Sequence, residues 1–226
     1  MTEEPSDNHV HYVYPDPDLE VRRDAAAALR RLGNALVRHR LDDETLGQLE
    51  RLAVDLAAQA ETSEAMPRPS DYMARRYTDP RPPDGAGLVA FSDRPFSGPA
   101  NPMGFEVDLR RRGEGVRARV VYGAAFESAP GRAHGGAISA AVDDVMGYLM
   151  VALGVAAYTA RLEVNYRGGV PVDEPVWFEA WESTREGRKL SVELQVRPGD
   201  DEGPDDDAEP LITASGLFVL LPPDRV

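Results

Sequence analysis

The stretch GRAHGGAISAAVDDVMG, residues 131–147, brings together residue types able to do chemistry and a pattern that fixes their positions. His134 precedes the glycine pair Gly135–Gly136, and a helix-like apolar run follows that carries two adjacent aspartates, Asp143 and Asp144. A helix N-terminus has unsatisfied N–H groups and the positive end of the backbone dipole. A glycine there lets a carbonyl oxygen approach closely, because no Cβ stands in the way. Gly136, with Gly135 beside it, can thus supply an oxyanion-type donor. Asp143 lies about two turns further on, and a carboxylate in a cleft there acts as a general base or a nucleophile. The plain alternative is that an aspartate in a helix is a solvated face residue. Adjacent residues sit about 100° apart, so one of the pair can face solvent or a subunit boundary while the other faces a cleft.

The elements that position these residues change character along the chain. Residues 1–18 read as a disordered or loosely packed tail. From about 19 to 39 the pattern is helical, with Leu29, Leu32 and Leu36 on one face. A second helix restarts after Asp42 or Asp43, with Leu46, Leu49, Leu52, Leu56 and Ala60 as its stripe. Together they predict an N-terminal tail and helical hairpin over 1–62, with a role in packing or dimerisation. Residues 63–97 are rich in Pro, Asp, Gly and Arg and predict a long connection or lid. From 98 to 222 the period becomes two: Phe105, Val107 and Leu109, then Val116, Ala118 and Val120, alternate with polar residues as half-buried antiparallel strands. Four more strand-like runs, YTARLEVNY, PVWFEAWES, LSVELQV and LITASGLFVLL, follow the helix at 136–152. The order is β-β-α-β-β-β-β, an α+β fold. The helix is apolar nearly all round, so an antiparallel sheet has to wrap it. The long sheet edges are blunted by pairing two copies, and the first 95 residues are expected to cover the sheet edge or the cleft.

Composition narrows the function. The 226 residues contain no cysteine, which removes disulfides, thiolate metal sites and cysteine nucleophiles. The formal net charge of −14 argues against sequence-independent nucleic-acid binding. Part of it sits in GDDEGPDDDAEP, residues 199–210, which reads as a solvated loop between strands. There is no signal-peptide pattern and no apolar run approaching ~18 residues, so a cytoplasmic location without a membrane span is expected. No serine-hydrolase elbow, P-loop, zinc-helix motif or dinucleotide fingerprint is present. No metal site or cofactor is expected.

Four stretches, FESAPGRAHGG, AISAAVDDVMG, YTARLEVNYR and EGRKL, together resemble the hotdog-fold acyl-CoA thioesterases, in the branch of the thioesterase superfamily that includes long-chain acyl-CoA enzymes. GPANPMG, residues 98–104, is similar to the segment that enters the first strand. The resemblance implies a hotdog fold, with Asp143 nine positions after His134 and Thr159 sixteen after Asp143. It implies that the Gly136 amide polarises a thioester carbonyl, that Asp143 is base or nucleophile, and that Thr159 orients the water. For His134, counted with these catalytic residues, the resemblance favours shaping the turn by hydrogen bonding over acting as the base. The implied substrate is a coenzyme A thioester, and the implied assembly is a homodimer or homotetramer in which Asp143 faces the His-Gly-Gly of the other subunit. A polyanionic coenzyme calls for local donors, and Asn165, Arg167, Arg188 and Lys189 are the candidates. Glu127 and Gly135 complete the implied substrate site. Ser128 stands where a glycine is common in this branch, which alters the cleft mouth. Rival readings are a hotdog dehydratase or hydratase, a non-catalytic acyl-CoA or acyl-carrier binding module, and a thioesterase acting on acyl-carrier protein. The acyl group itself is not readable.

Overall fold

The computed structural model describes residues 10–225. The loose tail expected over 1–18 lies outside the described residues for 1–9. From residue 10 the chain is already structured: β1 (Val10–Tyr12) pairs in parallel with β2 (Gly87–Val89), and Val13 is buried. The main sheet adds β3 (Glu106–Arg112) and β4 (Gly115–Val121), then β5 (Ala157–Tyr166), β6 (Pro175–Glu186), β7 (Lys189–Pro198) and β8 (Ile212–Leu220). The strand order is β1-β2-β3-β4-β6-β7-β8-β5, antiparallel throughout except for β1–β2. This is the β-β-α-β-β-β-β order read from the sequence, lengthened at one edge by β1, from the stretch expected to be a loose tail, and β2, from the stretch expected to be a long connection or lid. Ala86 and Leu88, around β2, bury their apolar side chains on the sheet's inner face. A stretch too short to show a period thus gains its conformation from the edge it completes.

Period-two alternation translates directly into burial. Val116, Ala118 and Val120 of β4 point inward, as do Val176, Phe178 and Ala180 of β6 and Leu190, Val192, Leu194 and Val196 of β7. Across this inner face lies α4 (Gly135–Leu153), whose buried residues run round most of its circumference. Its close seat on β8 needs Gly216, since a Cβ there would come within 2.8 Å of Met146 Sδ. Among the described residues α4 is long and apolar enough to cross a membrane. Asp143 and Asp144 interrupt the run and hide this from a count of consecutive apolar residues. The sheet covers most of that surface.

The N-terminal helices differ from expectation in how they dock. Of the residues in α1 (Leu19–Arg38) only Ala26 is fully buried. The docked face is Arg22, Ala26, Arg30 and Asn34, not the leucines. Arg22 reaches Ser92 Oγ at 3.2 Å, Arg30 donates to the Asn101 carbonyl at 2.7 Å, and Asn34 Oδ1 accepts the Ala125 N–H at 2.9 Å. Leu29 and Leu32 stay exposed. In α2 (Asp43–Glu61), capped by Asp42 through the Thr45 N–H, no residue is buried, and Leu46, Leu52 and Leu56 are open. Amphipathic periodicity found both helices, but within the chain only Leu36 and Leu49 of the two leucine stripes are half-buried.

Two truncations separate core from surface. Phe178→Ala is expected to cost about 3–5 kcal/mol in urea unfolding, the usual penalty for emptying a buried aromatic site. Leu52→Ala is expected to stay within about 0.5 kcal/mol. A loss above about 1.5 kcal/mol for Leu52→Ala would show that the stripe of α2 is covered in solution.

Candidate active site

His134 is the N-cap of α4, and its Nδ1 accepts the Gly136 N–H at 3.0 Å. The turn before it is held by an isolated bridge between Glu127 and Ala133, and the Glu127 carboxylate accepts the Gly131 N–H. Across the helix start, Tyr166 at the end of β5 donates to the Gly135 carbonyl at 2.8 Å and lies 2.6 Å from Ser139 Oγ. The Gly135 N–H has no acceptor among the described residues. The helix entrance is therefore rigid, with one free amide and one occupied by the imidazole.

Two turns further along α4 the aspartates divide. Asp143 is exposed at the helix surface and accepts a hydrogen bond from Thr159 Oγ1 at 3.0 Å. Asp144 is 8% exposed and bonds to the Arg94 guanidinium. Arg94 stacks over the Tyr148 ring at 4.5 Å and donates to Tyr72 Oη at 3.3 Å. Burial works against the Arg94 charge, but the Asp144 carboxylate together with Tyr148 and Tyr72 outweighs it, so the guanidinium is held above its ordinary value. Burial likewise pushes the Asp144 carboxyl up, against the pull of Arg94. The Arg94 side chain lies over Gly147, where a Cβ would come within 2.8 Å of Nη2. The segment 98–104 supports it from behind, with the Gly98 N–H and Asn101 Nδ2 on the Arg94 carbonyl at 3.0 and 3.2 Å.

Asp143, Thr159, Arg94 and Gly147 line one cavity of about 190 Å³, together with Tyr72 and Arg76 of α3 (Tyr72–Thr78) and with Met150, Tyr158 and Phe218. Met146, by contrast, is core. A larger open groove of about 710 Å³ at the β4–β6 end holds Glu179 and Glu182, both already paired with Arg117 and Arg185. The cavity with the unpaired carboxylate is the one equipped for chemistry.

The structure joins some of the expected residues and separates others. Asp143 meets Thr159, and His134 meets Gly136. Gly136 and Asp143, seven residues apart, share a helix face but stand about 10 Å apart along the axis at 1.5 Å per residue. Arg188 and Lys189 stand at the Thr159 end of β5, since Lys189 opposes Val219 and Val219 opposes Tyr158. Arg188 Nε is on the Leu220 carbonyl at 3.0 Å. Asn165 and Arg167 stand at the other end, Asn165 opposite Thr213 and Arg167 Nε 3.3 Å from Thr213 Oγ1. Sequence reasoning missed Arg94, Arg76 and Tyr72, which lie in the stretch read as a connection. One signal was present: an acid sunk in an apolar helix demands a cation from elsewhere in the chain.

The curved antiparallel sheet around a single buried helix, opened by a glycine pair, is the hotdog arrangement. The family model described as the thioesterase superfamily matches residues 130–204. Residues 130–204 thus match the thioesterase superfamily, within a chain of hotdog fold. A solved crystal structure of a thioesterase superfamily protein superposes with a TM-score of 0.71 at 25% identity, covering 96% of this chain and 98% of its own. Acyl-coenzyme A thioesterase THEM4 of Bos taurus is 29% identical over 125 residues, 54% of this chain and 49% of that protein. Its counterpart in Mus musculus is 32% identical over 101 residues, 44% of this chain and 40% of that protein. The matched region spans about half or less of these curated relatives.

The two aspartates have opposite expected phenotypes in stability. Asp144→Ala strands the Arg94 charge in a buried wall and should cost about 3–5 kcal/mol. Asp143→Asn should change stability by less than about 1 kcal/mol. Urea titrations of the two variants check this, and equal losses would overturn the division.

Proposed function

We propose that this protein hydrolyses an acyl-CoA thioester to a free acid and coenzyme A. The observation that carries the reading is the Thr159–Asp143 hydrogen bond on a cavity wall, on the helix face that also bears the glycine pair. The similarity to acyl-coenzyme A thioesterases supports it. In the reaction, water adds to the thioester carbonyl carbon as Asp143 takes its proton, and Thr159 orients that water. The oxyanion forms against the amides at the start of α4. The C–S bond then breaks and the proton goes to the departing sulfur. In the other version the Asp143 carboxylate adds first, the thiolate leaves, and water cleaves the resulting anhydride. Both use the same residues. The Gly135 N–H is available as found, whereas the Gly136 N–H must exchange His134 Nδ1 for the substrate oxygen.

A single thioester cannot touch Gly136 and Asp143 of one chain across about 10 Å. A two-fold axis beside the unpaired edge of β5 removes the difficulty. It sets the two α4 helices antiparallel, so that Asp143 of one copy faces the glycine pair of the other. The same operation brings the Arg188–Lys189 end of one copy to the Asn165–Arg167 end of its partner, gathering the donors for the coenzyme. The proposed enzyme is therefore a homodimer or a dimer of dimers.

Thiol release from a panel of acyl-CoAs is expected for the wild type, with Asp143→Asn reducing kcat by about 10²-fold or more. Mass photometry should show an even-numbered oligomer. Binding of acyl-CoA without turnover would sink the hydrolase reading in favour of a binding module. Turnover only on acyl-carrier protein would replace the substrate and keep the mechanism.

A further inference from the structure

Arg76 is 7% exposed, and its Nε and Nη1 have no hydrogen-bond partner. Its one polar contact is to the Tyr72 hydroxyl, and its guanidinium lies 4.6 Å above the Tyr72 ring. Tyr72 also receives Arg94, so one phenol oxygen serves two cations. Arg94 is matched by Asp144, and Arg76 has no carboxylate of its own within ion-pair distance among the described residues. Burial and the neighbouring Arg94 charge both push the Arg76 guanidinium below its ordinary value. A buried, unpaired guanidinium is costly, and α3 is held firmly enough to keep it there: the Tyr77 hydroxyl donates to the Leu221 carbonyl, and Arg75 pairs with Asp79 at 3.1 Å.

Arg76 lines the same cavity as Asp143 and Thr159, and Met150, Val155 and Phe218 are among its apolar lining. The cavity is thus lined by a carboxylate, a hydroxyl, apolar side chains and a cation that has no carboxylate partner among the described residues. We infer that it accepts a short acyl group whose far end carries a carboxylate, with Arg76 as the counter-ion. This rests on the thioesterase reading for the position of the thioester. The volume of about 190 Å³ limits the group to a short one. A coenzyme phosphate is excluded by reach, since it is separated from the thioester by an arm longer than the cavity. A neutral fatty acyl chain leaves the guanidinium unmatched and gains nothing from it, whereas a carboxylate makes charge-assisted hydrogen bonds to it.

The test compares glutaryl-CoA with pentanoyl-CoA and succinyl-CoA with butanoyl-CoA, by thiol release with the full chain. Wild type is expected to favour the dicarboxylyl member of each pair by at least about tenfold in kcat/KM. Arg76→Met should bring that ratio to one or below, and Arg76→Lys should restore part of it. In parallel, calorimetric titration of free glutarate should show binding to wild type that pentanoate does not match and that Arg76→Met loses. Hydrolysis of all four thioesters without preference, and no glutarate binding, overturns the inference and leaves the hydrolase standing. Glutarate binding that depends on Arg76, with no thioester turned over, keeps the carboxylate site and removes the hydrolase. If neither appears, both fall. Should Arg76→Met fail to fold, the wild-type ratio and the glutarate titration decide alone.

Discussion

A carboxylate sunk in an apolar helix has to be neutralised from outside that helix, and much of this structure follows from how that is done. Asp144 sits in α4 where the sheet closes over it, and Arg94 arrives from the segment that precedes β3. The pair is not a strong source of stability by itself, because desolvating two charges consumes most of what their attraction returns. What it does is make two remote segments interdependent. Arg94 can occupy its place only because residue 147 has no side chain, and its own backbone is held by Gly98 and Asn101. The loop before β3 is thereby locked against the helix surface one turn from Asp143. One aspartate is consumed in building the wall, which leaves the other free at the cavity mouth.

The same helix shows why the less buried line along it matters. Gly136, Ala140, Asp143 and Gly147 fall at steps of four, three and four residues, so they share one face. None of them is fully buried, whereas residues 148–153 all are. An α-helix that must be apolar nearly everywhere to fit inside a sheet has little surface left for chemistry, and the small residues keep that strip uncovered. β5 borders it, with Tyr166 over the helix start and Thr159 over Asp143. As β5 is the last strand of the sheet, its outer edge has no partner among the described residues. An unpaired ten-residue edge beside that strip is where the second copy of the proposed dimer would pair.

Most of the hotdog domain was legible because two periods write it plainly. Alternation at 116–120 and in the four later runs set strands whose inner faces are now known residue by residue. The all-round apolar pattern at 136–152 could only mean a wrapped helix. Of the site, the neighbourhoods His134–Gly136 and Asp143–Thr159 follow from spacing plus resemblance. The rest was not legible, for a physical reason. Arg76, Tyr72 and Arg94 belong to short pieces with no period, and their positions come from tertiary contacts made 50 or more residues away in the chain, such as Arg94 with Asp144. The faces of α1 failed differently. Leucines at helical spacing advertise burial, yet the side that docks does so through Arg22, Arg30 and Asn34, whose hydrogen bonds to loop backbone and side chains a hydrophobic pattern does not record.

On the reading proposed here, the cavity divides labour between two parts of the chain. The helix and β5 of the hotdog domain hold the end where a bond is broken, and α3 with the loop after it holds the end where the acyl group stops. These obey different constraints. Moving Asp143 or the glycine pair disturbs a helix that is packed on nearly every side, so the reactive end is fixed by the core. Arg76 sits on a seven-residue helix whose place is set by a few contacts, among them Tyr77 with the Leu221 carbonyl. A change there alters the depth or charge of the cavity without touching the core. A solved thioesterase superfamily structure covers 96% of this chain, so an N-terminal region and a hotdog domain occur together there as well. Substrate choice is then free to change in the segment that carries least of the fold, while the hydrolytic end stays where the packing of α4 puts it.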